Sequence, residues 1–240
     1  MARILVTNVR DYTGPGVLPV LLREEHEVLC HDPSFADESA RHDFERDNPG
    51  AVALASNAPE AIAAELHGLG QVDGIVSNDV YPITRRPIEE IPLDDLRATF
   101  EHVLVFPFRL TQLLVPGMKS RRRGSIVFVT SARELRPEPG FAVATTIRAG
   151  TTAFAKAAAK EFAPYGIQVN VVAPNYLYSE MYYPRQRFID DPEGRDLIAR
   201  TVPFGRLGEP EEVGELIAFL VSGRSRFTTG QVIYFSGGWP

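Results

Sequence analysis

Short apolar stretches rich in valine, isoleucine and leucine alternate along the chain with longer stretches that carry helical periodicity. The apolar stretches are 2–9, 27–32, 51–56, 72–79, 124–132, 167–175 and 231–238. Their near-continuous hydrophobicity is typical of parallel strands that are buried on both faces. Helices then serve as the crossovers between them. The pattern therefore predicts a single-domain, doubly wound, Rossmann-like α/β fold over 1–240, with a parallel seven-stranded sheet and helices on both faces.

The last crossover helix has the clearest signal. Pro210 suits the first helical position, and Glu211 and Glu212 place negative charge in the first turn, where the helix dipole favours it. The apolar positions that follow recur at helical spacing. They are Val213, Leu216, Ile217, Leu220 and Val221. This face is expected to pack on the sheet.

Ligands of doubly wound sheets bind beyond the carboxyl ends of the strands. The residues that follow the strands, namely 7–16, 77–81, 131 onward and 174 onward, are therefore the ones to examine. The segment 176–203 is long and aromatic and is expected to be irregular. It follows a strand at the position where a lid over a substrate site would lie.

Composition narrows the classes of function. The chain of 240 residues has a formal net charge of −6, which argues against a general nucleic-acid binder. Cys30 is the only cysteine, so an internal disulfide and a cysteine-based zinc site are excluded. The five histidines show no metal-ligand spacing. No apolar run approaches the roughly 18 residues of a membrane span, and the N-terminus is typical of a strand, so a cytoplasmic protein is expected.

The turn after the first strand lacks part of a dinucleotide-binding pattern. Gly14 and Gly16 are present, but the aromatic side chain of Tyr12 would project into the space that a nicotinamide nucleotide needs. A divergent loop that still binds a coenzyme is the alternative. Asp32 ends the second strand, where it could bind a ribose, but with the first turn blocked a role as a helix cap or turn former is favoured.

Several longer segments resemble the short-chain dehydrogenase/reductase superfamily over nearly the full chain. They are VSND (76–79), SIVFVTSA (125–132), IQVNVVAPN (167–175), GRLGEPEEVGELIAFL (205–220) and TGQVIYFSGG (229–238). Where that superfamily carries its first two glycines, this chain has Asn8 and Tyr12. The departure favours a branch of the superfamily that does not use the coenzyme.

Within that superfamily the chain is most similar to the halohydrin (haloalcohol) dehalogenases. Thr7, Tyr12 and Gly14 match the family's first signature, in which the aromatic residue helps to form a halide pocket. The resemblance implies a lyase without a nicotinamide cofactor. It would interconvert vicinal haloalcohols with epoxides and halide, and would open epoxides with other small anions. The further halide-pocket and substrate-pocket residues implied are Pro174, Asn175, Tyr176, Leu177 and Tyr183.

The family's second signature is a serine, a tyrosine thirteen residues later and an arginine four residues after that. Ser131 and Arg148 match it, but Ala144 occupies the tyrosine position. In the family the tyrosine is the base, the arginine lowers its pKa, and the serine donates a hydrogen bond to the substrate oxygen. Position 144 lies one helical turn before Arg148, so both should share a helix face. Asp79 could orient Arg148 or relay protons, or it could be a strand-end turn residue.

The methyl group of Ala144 cannot accept a proton. General acid–base catalysis is typically worth ~10²–10⁴ in rate, so dehalogenation should be severely impaired. Three explanations stay open. The chain is an engineered variant without its base, or a natural relative with lost or altered activity, or another group such as Tyr178 or Tyr182 supplies the base.

Two other functions stay open beside this one. An NAD(P)-dependent oxidoreductase is the first, and a non-catalytic binding or scaffolding protein is the second. The resemblance also implies a homotetramer built through the helix that contains 153–163. The expected partners are a small haloalcohol or epoxide and a halide or small anion, and neither nucleic acid nor a membrane. The basic run 119–123 is read as a solvated loop, because it is short and the chain is acidic.

Overall fold

The computed structural model describes residues 1–82 and 85–240, and within these ranges it confirms the predicted fold. All strand pairs are parallel, and the sheet order is β3-β2-β1-β4-β5-β6-β7. The strands are β1 (Arg3–Val6), β2 (Glu27–Cys30), β3 (Ala51–Ala53), β4 (Gly74–Ser77), β5 (Gly124–Val129), β6 (Ile167–Pro174) and β7 (Val232–Phe235). The order reverses beside β1, which places a crevice at the carboxyl ends of β1 and β4.

Helices cover both faces of the sheet. They are α1 (Gly14–Arg23), α2 (Glu38–Asp47), α3 (Pro59–Leu69), α4 (Leu93–Phe100), α5 (Phe106–Arg121), α6 (Ala142–Phe162), α7 (Pro192–Thr201) and α8 (Pro210–Val221). Across 1–82 and 85–240, none of them has the length and hydrophobicity of a membrane-spanning helix.

Adjacent residues of a strand serve two different cores. Ile4 and Val6 belong to the apolar cluster under α1 and α8, whereas Leu5 belongs to the cluster under α3, α5 and α6. Because side chains alternate between faces, a strand with a core on each side must be apolar at every position. This explains the continuous apolar runs from which the sheet was predicted.

The strands end earlier than the apolar runs suggested. The predicted strand 2–9 ends at Val6, and the predicted strand 124–132 ends at Val129. Val9 and Ala132 lie beyond these ends and are still fully buried. Hydrophobicity reports burial, and buried turns at the carboxyl edge of the sheet are apolar as well. The residues that leave the sheet early are the ones that form the candidate site.

The helix α8 agrees with its prediction. It begins at Pro210, and a capping box joins the side chains of Glu209 and Glu212 to the backbone of the first turn. A Cβ atom at Gly16 of α1 would lie 1.8 Å from the carbonyl oxygen of Pro210. Glycine there lets α1 and α8 approach closely at the start of both helices.

The segment 176–203 contains regular structure that was not predicted. The expectation of an irregular segment is wrong for α7, which Asp191 caps by accepting a hydrogen bond from the backbone N–H of Gly194 at 3.2 Å. Ile198 and Val202 pack with Tyr183 in a small cluster of their own. The helix signal was the Asp191-Pro192 pair, a cap residue followed by proline at the first helical position.

Candidate functional site

The turn after β1 keeps a glycine-like backbone at two residues that are not glycine. Asn8 has a φ of 45° and Tyr12 a φ of 52°. Asparagine enters this left-handed region readily, whereas a tyrosine there costs about 1–3 kcal/mol of strain. Such strain persists only where the surroundings fix the conformation, so the direction of the Tyr12 ring is set by contacts from elsewhere in the fold.

Asn78 supplies much of that fixation from the end of β4. Its Nδ2 donates to the carbonyl oxygens of Asn8 and Asp11 at 2.9 and 2.8 Å. Its Oδ1 accepts from the hydroxyl of Thr13 at 2.6 Å, and its backbone N–H donates to Thr7 Oγ1 at 3.0 Å. The buried amide therefore ties both ends of the turn to the neighbouring strand. Asn78 was not predicted as a site residue.

The ring of Tyr12 packs against the segment that follows β6. It meets the ring of Tyr182 edge to face, with centroids 5.1 Å apart. The guanidinium carbon of Arg148 lies 5.9 Å from its centroid. Burial raises the pKa of the Tyr12 hydroxyl, so the ring stays neutral and presents polarised edges and a hydroxyl to its surroundings.

Ser131, Ala144 and Arg148 come together between the end of β5 and the first turns of α6. Arg148 is buried, and its Nη1 donates to the carbonyl oxygen of Val129 at 2.7 Å. Ser131 Oγ accepts from the backbone N–H of Arg133 at 3.2 Å, which leaves its own hydrogen for another acceptor. Ala144 and Arg148 line the same cavity, as their helical spacing requires.

The amide of Asn175 faces this group from the end of β6. Its Oδ1 accepts from the backbone N–H of Tyr176 at 3.0 Å and from the hydroxyl of Tyr183 at 2.9 Å. These donors fix the orientation of the amide, since Nδ2 cannot accept a hydrogen bond. Within the described ranges Nδ2 is buried and has no partner. Asn175 therefore carries a spare donor in the wall of the site.

One cavity of about 70 Å³ joins the two halves of the site. The predicted residues on its wall are Tyr12, Ser131, Ala144, Arg148, Pro174, Asn175, Tyr176, Leu177 and Tyr183. Residues on its wall that were not predicted as pocket residues are Thr130, Arg133, Phe141, Thr145 and Tyr182. A volume of this size accommodates roughly five water molecules, and so a small ligand.

Asp79 does not line this cavity. It lies on the wall of a separate, larger cavity of about 540 Å³, together with Asn8 and His31. Ser77 Oγ donates to its Oδ2 at 2.5 Å. Burial raises the pKa of Asp79 to about 6, and the Ser77 hydrogen bond and the charge of Arg148 only partly oppose this. Asp79 is therefore not placed to contact a ligand that is bound beside Ala144.

Comparison with known proteins places the chain in a family. A family model described as enoyl-(acyl carrier protein) reductase matches residues 43–240. The 3-oxoacyl-(acyl-carrier-protein) reductase of Vibrio cholerae is 30% identical over 98% of this chain and 95% of that protein. Among solved structures, a dehalogenation enzyme is 39% identical with a TM-score of 0.94, over 100% of this chain and 98% of that one. A halohydrin dehalogenase bound to ethyl (2S)-oxiran-2-ylacetate is 35% identical with a TM-score of 0.95, over 100% and 97%.

The chain belongs to the halohydrin dehalogenase family, within the short-chain dehydrogenase/reductase superfamily. Two residues that could serve a nicotinamide coenzyme, Gly14 and Asp32, have structural roles in this chain. A Cβ atom at Gly14 would lie 2.2 Å from the carbonyl oxygen of Val9, so that glycine is explained by packing within the turn. The carboxylate of Asp32 accepts from the backbone N–H and the hydroxyl of Ser34 and caps the following turn, as the favoured interpretation predicted.

The tyrosines near the position of the family's base differ in their suitability to replace it. The hydroxyl of Tyr178 donates to Glu180 at 2.6 Å and lies away from the cavity. Tyr183 lines the cavity, but burial raises its pKa to about 12, which opposes its action as a base at neutral pH. Tyr182 lines the cavity and packs on Tyr12. Of the two tyrosines that the sequence left open, only Tyr182 is therefore in reach of a bound ligand.

The fourteen-residue wall of the cavity does not resemble a metal centre. In the part of the chain that the structure describes, no three histidine, cysteine or acidic side chains are grouped so that they could hold a metal ion. The polar groups that the wall offers are hydroxyls, guanidinium groups and an amide. These groups donate hydrogen bonds to oxygen atoms and anions.

Proposed function

We propose that this chain binds a vicinal haloalcohol, or the corresponding epoxide with a small anion, in the cavity between Tyr12 and Ala144. The observation that carries the proposal is that one small cavity joins Ser131 and Arg148 to the spare amide donor of Asn175. The first two groups suit an alkoxide or epoxide oxygen, and the last suits a halide among aromatic edges. The epoxide bound to the similar halohydrin dehalogenase supports the same ligand class.

The reaction proposed for such a site closes a three-membered ring. The hydroxyl oxygen of the substrate loses its proton and attacks the neighbouring carbon, and the carbon–halogen bond breaks as halide leaves with the electron pair. Ser131 donates a hydrogen bond to the developing oxyanion, and the charge of Arg148 stabilises it. The Nδ2 of Asn175 and the aromatic edges around it solvate the departing halide.

The missing part of this machinery is the proton acceptor. Ala144 lies one helical turn from Arg148 on the cavity wall and offers only a methyl group. Without a tyrosine at this position, the proton must pass to solvent or to Tyr182, the remaining candidate on the cavity wall. We therefore propose that the chain retains ligand binding while its turnover of simple haloalcohols is slowed by the loss of a base, about 10²–10⁴-fold.

The experiment compares the proteins Ala144→Tyr and Ala144→Phe with the unaltered chain. Halide release from a neutral vicinal bromoalcohol is measured at pH 7–8 by halide titration. Ala144→Tyr should raise the rate about 10²–10⁴-fold, whereas Ala144→Phe supplies the same ring without the hydroxyl and should not. Equal rates for the two variants would mean that Ser131 and Arg148 do not form a catalytic set with position 144.

A bromide titration tests the proposed halide site independently of turnover. Trp239 is the only tryptophan of the sequence, and its ring centroid lies 5.6 Å from that of Tyr176 on the cavity wall. Its fluorescence should therefore change as bromide is titrated into the unaltered protein. The change should saturate, and the variant Asn175→Leu should weaken it. A linear, unsaturating response that is the same in both proteins would contradict a halide site at Asn175.

An NAD(P)-dependent oxidoreductase is the second candidate, because the reductase of Vibrio cholerae is similar over nearly the whole chain. The discriminating measurement is a titration with NADH and with NADPH. We expect no saturable binding below millimolar concentration. Tight binding of either nucleotide would reverse the order of the two proposals. Absence of halide release even from Ala144→Tyr, together with absence of nucleotide binding, would favour a non-catalytic binding protein.

A further inference from the structure

A second guanidinium group lies on the wall of the cavity. Arg133 follows Ser131 at the end of β5, in the turn 132–134. Its guanidinium carbon lies 4.0 Å from the ring centroid of Phe141, and its Nη2 is 3.5 Å from the hydroxyl of Tyr183, at the limit of a hydrogen bond. The planar group is thus held by stacking on one side and by a weak contact on the other.

The charge of Arg133 has no acidic partner. Across residues 1–82 and 85–240, no Asp or Glu side chain lies within 4.0 Å of it, and its Nε is buried without a hydrogen bond. The described wall of the cavity contains two arginines and no carboxylate, although the whole chain carries a net charge of −6. The charged side chains on the described wall of this cavity are therefore all positive.

This charge distribution differs from what elimination of halide needs. A departing halide is served by partial charges from an amide and ring edges, and a full cation beside it would slow its release. A guanidinium group instead matches a planar group with two oxygens, because its fork of donors meets both of them. Arg148 is anchored through Nη1 to the carbonyl oxygen of Val129, whereas among the described residues the Arg133 side chain has only the weak contact with Tyr183, so Arg133 is the less engaged of the two cations.

We propose that the substrate of this cavity is a short halohydroxy acid or the corresponding epoxy acid, whose carboxylate pairs with Arg133 while its hydroxyl or epoxide oxygen lies at Ser131. The inference rests on the proposed function, and it names the substrate class of that site. The cavity of about 70 Å³ restricts the ligand to a short chain. Charge pairing at a half-buried, stacked guanidinium should favour the acid over a neutral analogue by about tenfold to a hundredfold.

The first test measures binding and needs no turnover. The affinities of 3-hydroxybutanoate and of its neutral analogue 3-hydroxybutanamide are measured by titration calorimetry in the unaltered protein, in Arg133→Gln and in Arg133→Lys. The acid should bind at least tenfold more tightly than the amide, Arg133→Gln should abolish that preference, and Arg133→Lys should retain part of it. Added salt should weaken the binding of the acid and leave the affinity for the amide unchanged.

The outcomes that overturn the inference are specific. Equal affinity for acid and amide overturns it, and so does a preference for the acid that survives Arg133→Gln, because another group then holds the charge. Failure of both probes to bind overturns it as well. A purely structural role of Arg133, holding Phe141 and Tyr183 in place, would lower both affinities together and would leave their ratio unchanged.

The second test keeps this inference distinct from the proposed function. In the Ala144→Tyr protein, bromide release is compared for 4-bromo-3-hydroxybutanoate, for its amide and for a neutral bromoalcohol. A higher kcat/KM for the acid that Arg133→Gln removes supports the inference. Turnover of the neutral compounds without any preference for the acid refutes it while the proposed function stands. Absence of bromide release from all three compounds refutes the proposed function. The role of Arg133 is then decided by the binding measurements of the first test.

Discussion

Asp79 should make the stability of the fold fall as the pH rises through its titration range. The side chain is 3% exposed, and its Oδ1 has no partner among the described residues. Burial raises its pKa to about 6, against an ordinary value of 3.8. A carboxyl group with a raised pKa in the fold favours the folded state fully only below the pKa of the unfolded chain. That contribution is lost as the pH rises through the folded value.

The size of the effect follows from the shift. About two pKa units at ~1.36 kcal/mol each correspond to about 3 kcal/mol, lost between about pH 4 and pH 7. Asp79→Asn removes the ionisation and keeps an oxygen that can accept the hydrogen bond from Ser77 Oγ. The free energy of unfolding of the variant, minus that of the unaltered protein, should therefore rise by about 3 kcal/mol across this window.

Urea denaturation of both proteins at intervals from pH 4 to pH 8 measures this difference, since the other titrating groups are common to both. The matched control is Asp94→Asn, which changes a carboxylate whose side chain is 90% exposed. Its difference from the unaltered protein should stay within about 0.5 kcal/mol at every pH. A flat difference for Asp79→Asn, or one that falls as the pH rises, would show that burial does not govern this carboxyl group.

Five further substitutions, of which Gly68→Ala and Asn8→Gly are controls, test the turn and the helix contact by urea denaturation. Gly16→Ala should destabilise the fold by about 1–3 kcal/mol or more, because its Cβ would meet the backbone of Pro210. Gly68 lies in open space near the end of α3, so Gly68→Ala should be neutral or stabilising by up to about 1 kcal/mol. Asn78→Ala should cost roughly 2–4 kcal/mol through the buried groups it leaves unpaired. Asn8→Ala should cost about 1–2 kcal/mol and Asn8→Gly little, because only the alanine resists a φ of 45°.

The fold could be predicted because each of its signals is local. A strand between two cores is apolar at every position, as Ile4 and Leu5 show, and this pattern is visible in the sequence. The helix α8 carried its own cap and proline. The strand ends were the weak point, because Val9 and Ala132 are buried outside the sheet and no local signal distinguishes them from strand residues.

The candidate site could be predicted only where motif spacing or helical geometry governs it. Ala144 and Arg148 share a wall because four residues make one helical turn. Asn78 and Arg133 were missed for a common reason. Each acts on residues distant in sequence: Asn78 on a turn about 70 positions away, and Arg133 on Tyr183, 50 positions away. The residues next to Asn78 and Arg133 in the sequence give no sign of these contacts. From a single sequence, an arginine that follows a strand is expected to be exposed to solvent.

The charges in the cavity bear on what the loss of the tyrosine means. Buried guanidinium groups and an unpaired amide donor destabilise a fold by about 1–3 kcal/mol for each unsatisfied group, and apolar residues of similar volume often serve stability better. Arg133 and Asn175 both carry such groups on the cavity wall, with no acidic side chain among the described wall residues to neutralise the charge. A cavity that had lost all function would gain stability by losing them. A bound anion would satisfy these groups, which supports the proposal that the cavity still binds its ligand without a base.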